Sequence, residues 1–240
     1  MALCTDAAMV LYYDIDGNTA DHDYWHSYEH MHERLSIPGF VRATRWVATS
    51  AKPRYLVVYE VESVDIASSA DYLARLNDPS PWTTSMMPRF RGMIRGFCTE
   101  TARSGYGLGH NALSIRFPPT PGREAELGHW LANDVIPGLS LREGMAGVSL
   151  LQPAAKPPMT KEQSIRGPDA ELPWILLATA YDAAALDKLK DETLSLAQLQ
   201  QHGCSSHIET GFYQLHYTLS AEEASRSPAN PAFNPDSPLS

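Results

Sequence analysis

The residues from Tyr24 to Phe40, YWHSYEHMHERLSIPGF, set imidazoles, carboxylates and an aromatic pair on one short segment. Imidazole takes and gives protons near neutral pH, so proton-transfer chemistry is expected here. His30 and His32 are the two candidate catalytic residues. They are two residues apart and stand on nearly opposite sides of an ideal helix, so they cannot share one small site without distortion. On a 3.6-residue period Tyr24, Tyr28, Met31 and Leu35 form the core stripe. His32 and Trp25 flank that stripe, which favours His32 as the inward one. His22, His26, Glu29 and Glu33 form the opposite stripe. Histidines at i and i+4 suit zinc, but HSYEH has no glutamate beside its first histidine, and the stripe fits a solvated helix face. No metal and no cofactor is expected.

Other residues could bind a substrate. Trp25 and Trp82, the latter in a loop-like Ser80-Pro81-Trp82-Thr83, could pack on a planar compound. Arg91 and Arg95 are an even number apart, so a regular strand projects both from one face, where they could hold a carboxylate. His216 lies in a late strand, with His207 just before it. No G-x-S-x-G elbow is present. Gly105-Tyr106-Gly107-Leu108-Gly109 lacks dinucleotide-loop spacing and reads as a linker.

The elements that must position these residues follow a repeated order. Met9–Ile15 is β-rich and ends in the turn signal Asp16-Gly17. Thr19 is placed to cap a helix that Pro38-Gly39 stops. Strands over 40–48 and 55–61, a helix over 66–76 and a strand over 90–99 complete β-α-β-β-α-β. The order recurs with a strand over 111–117, a helix over 123–139, strands over 144–151 and 174–181, a helix over 183–201 and a strand over 211–217. Here His129-Trp130, Asn133-Asp134 and Pro137-Gly138 echo Tyr24-Trp25, Glu29-His30 and Pro38-Gly39. The expected fold class is α+β: two tandem ferredoxin-like units, over 7–103 and 110–219, joined by a linker at 104–109. A split unit covers one face of its sheet, so the two sheets are expected to pack as a pseudo-dimeric α+β barrel. The Pro-rich insertion 153–173 reads as a mobile surface loop or a lid, and 220–240 as a disordered or extended tail.

Composition bounds the partners. The chain has 240 residues with formal net charge −9, which argues against a general nucleic-acid binder. Its longest apolar runs fall short of a membrane-spanning helix. The three cysteines, Cys4, Cys98 and Cys204, are scattered and odd in number, as expected for reduced thiols in a cytoplasmic protein.

The stretch EHMHERLSIPGF from Glu29 to Phe40 resembles the EthD-like branch of the dimeric α+β barrel superfamily. That branch shows a Tyr-Trp pair, then Glu-His, then Pro-Gly eight residues after the histidine. Tyr24-Trp25 stands one residue too far upstream, which implies a local irregularity in the helix. The resemblance covers about 25 residues closely and the remainder in architecture. It implies that His30 lines a cavity between sheet and helix. It also implies a cofactor-independent catabolic enzyme for a small anionic, aromatic-derived ring-cleavage compound, isomerising it or hydrolysing an ester or lactone. A cofactor-free monooxygenase and a non-catalytic ligand- or haem-binding barrel are the alternatives. The expected partners are a small anionic substrate and, in a homodimer, a second copy of the chain.

Overall fold

The computed structural model describes residues 3–226. The first repeat opens with β1 (Ala7–Ile15), an apolar run buried on both faces. Asn18, not Thr19, caps the next helix, accepting from the Ala20 N–H. That helix has three parts: α1 (Thr19–Trp25), a π-turn over His26–His30, and α2 (Met31–Leu35). Then come β2 (Phe40–Ala48), β3 (Tyr55–Val61), α3 (Ala70–Asn77), α4 (Pro81–Met86) and β4 (Phe90–Gly105). β4 thus continues into the segment expected to be a linker.

The second repeat runs β5 (Asn111–Phe117), α5 (Glu124–His129), a π-turn over Trp130–Val135, α6 (Ile136–Leu139) and β6 (Met145–Pro153). After α7 (Lys161–Arg166) follow β7 (Trp174–Ala180), α8 (Ala183–Asp191), α9 (Leu196–Gln201), β8 (Glu209–Ser220) and α10 (Ala221–Arg226). The expected tail therefore begins as a helix, and its remainder, 227–240, lies outside the described residues.

The eight strands close into one barrel in the order β1-β3-β2-β8-β5-β7-β6-β4. Each repeat contributes four neighbouring strands, and the seams are β2–β8 and β4–β6, both antiparallel. This is the expected pseudo-dimeric α+β barrel. Alternate side chains divide between two sides. Ala8, Val10, Tyr12, Trp46, Leu56, Cys98 and Leu177 belong to a core inside the barrel. Two further cores lie between sheet and helices, one for each repeat.

The insertion 153–173 is a docked strap rather than a mobile loop. It leaves the second repeat and lies on the first, where Thr160, Glu162 and Gln163 are buried. Ala154 and Ile165 pack into the first repeat's core. Among the described residues no helix is long and apolar enough to cross a membrane.

Candidate functional site in the first repeat

The π-turn decides which helix face is buried. One residue of extra chain in the turn rotates everything before it relative to everything after it. This is the irregularity implied by the early Tyr24-Trp25. The sequence-based wheel assumed an unbroken period; it holds after the turn, where Met31 and Leu35 are buried as expected, and is reversed before it. Tyr28 is 55% exposed and Tyr24 is also exposed, whereas His22, Trp25, His26, His30 and Arg34 are buried. His32 sits half-buried, and its ring makes no hydrogen bond with a described residue. Of the two candidates, His32 favoured by the wheel and His30 by the resemblance, His30 is the buried one. Glu29 and Glu33 do lie outside the core, where they accept hydrogen bonds from Ser80 and Thr83.

The buried imidazoles form a ladder. The His22 and His26 rings stack at 5.4 Å, His26 and His30 stand 5.7 Å apart, and Trp25 covers His30 at 4.4 Å. His22 and His26 have hydrogen-bond partners from the sheet. Arg45 of β2, fully buried, donates from Nη1 to His26 Nδ1 at 3.0 Å, from Nε to His216 Nδ1 at 3.1 Å and from Nη2 to Ser27 Oγ at 2.9 Å. A guanidinium only donates, so both Nδ1 atoms are acceptors. His26 therefore carries its proton on Nε2 and gives it to the Tyr59 hydroxyl at 3.1 Å. Asp23 meets His22 Nδ1 at 3.0 Å, which leaves His22 Nε2 to accept from Tyr13 at 3.1 Å.

Electrostatics keep these rings neutral. Burial pushes the His22 imidazole down to about 4, against the pull of Asp23. Burial and then the Arg45 charge hold His26 well below the ordinary histidine range. Burial and then Arg34 do the same for His30. A neutral imidazole at pH 7 is a competent proton acceptor.

His30 differs from the other two. It is 8% exposed, and its Nδ1 makes no hydrogen bond, with the Glu33 carboxylate nearest at 3.5 Å. One helical turn on, Arg34 pairs with Glu162 of the strap through Nη2 while its buried Nη1 has no partner. Of the eight buried side-chain polar atoms without a partner among the described residues, these two lie one helical turn apart.

The remaining expected residues divide. Trp25 and His216 join the site. Trp82 is buried at the start of α4 and packs on Tyr24 at 5.6 Å, on the other side of the helix from the ladder. Arg91 and Arg95 do not share a face. Between Tyr12/Ile94 and Asp14/Arg91 the β1–β4 register slips, giving β4 one extra residue where Gly92 has φ +59°. The bulge reverses the alternation. Arg91 is left 53% exposed on Asp16, while Arg95 is 6% exposed and reaches Asp169 and the Tyr72 hydroxyl. Arg34, Arg45, Tyr13, Tyr59 and Glu162 were not anticipated. Arg45 could have been noticed as one of two arginines in the strand segment RATRWVA, followed directly by the apolar Trp46-Val47-Ala48.

The second repeat supplies an internal control. Its helix ends with the same turn: Ile37 and Phe40 bond as Arg142 and Met145 do, around Gly39 and Gly144 at φ +87° and +88°. The true match of Pro38-Gly39 is therefore Glu143-Gly144, not Pro137-Gly138. Carrying this register back pairs His22 with Leu127, His26 with Leu131, His30 with Val135 and Arg34 with Leu139. The strand pairings match Arg45 with Leu150, Tyr13 with Phe117 and Tyr59 with Ala178. These seven positions, polar in the first repeat, are all apolar in the second, and their residues belong to its core.

No family model matches the chain, and no curated protein is similar to it. Solved structures are. An anthrone oxidase-like protein superposes with a TM-score of 0.64 at 11% identity, covering 93% of this chain and 97% of that one. Two candidate monooxygenases, from Fusobacterium nucleatum subsp. nucleatum and Lactobacillus acidophilus NCFM, each give 0.58. Their identities are 8% and 7%, and they cover 91% and 90% of this chain and 96% of each of theirs. At such identities the likeness is one of fold, and the fold that these proteins share with this chain is the dimeric α+β barrel, here closed within a single polypeptide.

Proposed function

We propose that the protein is a cofactor-independent oxygenase of a planar substrate with an acidic C–H or O–H, and that His30 is its base. The observation that carries the reading is the pair of unsatisfied groups on adjacent turns, the neutral His30 imidazole and Arg34 Nη1. His30 Nε2 takes the substrate proton, and the imidazolium so formed is stabilised by Glu33 beside Nδ1. Arg34 Nη1 donates to the oxygen on which negative charge develops. Trp25 stacks with the planar ring system.

Dioxygen is the oxidant. The substrate anion adds O2 to form a carbon–peroxide bond, takes a proton back from His30 and loses water. A methylene thus becomes a carbonyl. One oxygen atom of the dioxygen stays on the carbon, and the other leaves as water with the two methylene hydrogens. Anthrone is a substrate of this class, with a methylene made acidic by its ring system, and the fold neighbour described as anthrone oxidase-like makes it the natural probe.

The same proton abstraction without O2 would isomerise an unsaturated acid or lactone, as the EthD-like resemblance implies. Oxygen dependence separates the two. Anthrone should be consumed with stoichiometric O2 uptake, and 18O2 should label the new carbonyl. Turnover of a muconolactone-type substrate under argon would favour isomerisation. Absence of O2 uptake above buffer with anthrone and with simple quinols would remove the oxygenase reading.

A further inference from the structure

We propose that a second site, a cavity of about 280 Å³ between the strap and the edge of β4, binds a small carboxylate with an apolar tail. It stands apart from the His30 site and does not depend on the oxygenase reading. In α7, Glu162 serves Arg34 beside His30, whereas the next residue, Gln163, lines this cavity.

The charge at the cavity is out of balance. Asp169 is fully engaged: Oδ1 accepts from Arg166 Nε at 3.2 Å and Nη2 at 2.6 Å, and Oδ2 accepts from Gln163 Nε2 at 2.8 Å. Arg95, which lines the cavity, reaches that carboxylate only at 3.5 Å. Its Nη2 is spent on neutral partners, the Tyr72 hydroxyl and the Met9 sulfur. With the Arg34–Glu162 pair alongside, three buried guanidiniums face two buried carboxylates. Burial and then the Arg95 charge hold Arg166 below its usual range, as expected where positive charge is in excess. Lys156 and Glu171 among the lining residues cancel each other. A ligand carboxylate supplies the missing negative charge.

The backbone offers a matching donor. Residues 93, 95 and 97 of β4 face the strap. The Ala154 N–H donates to the Phe97 carbonyl at 2.8 Å, and the Arg95 N–H donates to the Ala170 carbonyl at 3.4 Å. These bonds hold the two arms of the strap apart and leave the Phe97 N–H and the Arg95 carbonyl between them, on the cavity wall. One ligand oxygen can take the Phe97 N–H while the other meets Arg95. Ala154, Pro157 and Leu172 provide the apolar walls. At the ~30 Å³ that liquid water allots each molecule, the space suits about nine non-hydrogen atoms.

The test is calorimetric titration of the full chain with hexanoate, hexylamine and hexanol, with amide spectra that follow Phe97. Hexanoate should bind at one site and shift the Phe97 amide, and the amine and alcohol should bind at least tenfold more weakly. Ala155→Trp fills the cavity from an exposed position and leaves the Arg95–Asp169 contact intact, so it should weaken hexanoate at least tenfold in a folded protein. Arg95→Gln should do the same. Absence of hexanoate binding, equal binding of the amine or alcohol, or unchanged affinity in Ala155→Trp would each overturn the proposal.

Discussion

The two repeats share a backbone, down to the π-turn in the first helix and the glycine turn that follows it, yet they fill the space between helix and sheet in opposite ways. The second repeat uses Leu127, Leu131, Val135, Leu139 and Leu150, all buried. The first puts three histidines and two arginines at the same places. Burying an arginine costs several kcal/mol before its hydrogen bonds are counted, and a neutral imidazole needs a partner for each ring nitrogen. Since leucine and valine satisfy this fold in the second repeat, folding does not require the polar set of the first. The difference is what points the proposed chemistry to the first repeat.

The comparison can be broken from either side. The largest effect is expected when one repeat's charge is moved into the other. Leu150→Arg buries a guanidinium among leucines with no acceptor, and should cost more than ~3 kcal/mol or prevent folding, by chemical denaturation. In the first repeat, Arg45→Leu alone strands His26 Nδ1, His216 Nδ1 and Ser27 Oγ, and should cost about 3 kcal/mol. Adding His26→Leu and Ser27→Ala, which copy Leu131 and Ala132 of the second repeat, removes two of the three stranded groups and should recover part of that loss. If the combined variant is no better than the single one, the polar set is structural after all.

A pH series sharpens the same contrast. His22 is near 6.5 when unfolded and about 4 when folded. Between those values the unfolded chain binds more protons. Stability should be full above pH 6.5, fall as pH drops toward 4, and lose nothing more from this group below that. The loss is about 3 kcal/mol at most. His22→Leu, which copies the second repeat, should reduce the slope in that window by one group's share, with His26 and His30, also held low by burial, supplying the remainder. A slope unchanged by the substitution would place the pH dependence elsewhere.

The smallest effect tests the bulge that separates Arg95 from Arg91. Gly92 has φ +59° with open space around its Cα, so Gly92→Ala should cost only the left-handed backbone penalty, about 1 kcal/mol. A loss several times larger would mean that the bulge holds more than the register of β4.

Much of the architecture was legible because it rests on periodicity and turn chemistry. Apolar runs marked the strands, Asp16-Gly17 and Pro38-Gly39 marked ends, and the repeated order gave the barrel. The site was legible only in part. The density of imidazoles in Tyr24–Phe40 pointed to the right segment. The face did not follow, because one π-turn shifts the wheel and the histidine-rich stripe was assumed to be wet. Arg91 and Arg95 were misplaced for a related reason, since one bulged residue reverses a two-residue period. Arg45, Tyr13 and Tyr59 come from other strands, and only the sheet register brings them to the helix. The strap was read as mobile from its prolines, but Glu162 and Asp169 anchor it to arginines more than sixty residues away in sequence.

The central claim is that His30 is there for chemistry and not for folding. Its most direct test is His30→Val, which gives the first repeat the second repeat's residue, with thermal stability and O2 uptake on anthrone measured on the same preparation. The variant should keep or gain stability and lose ~10²–10⁴-fold in rate, the usual worth of a positioned base. A variant that melts well below the parent while retaining full uptake would contradict the account.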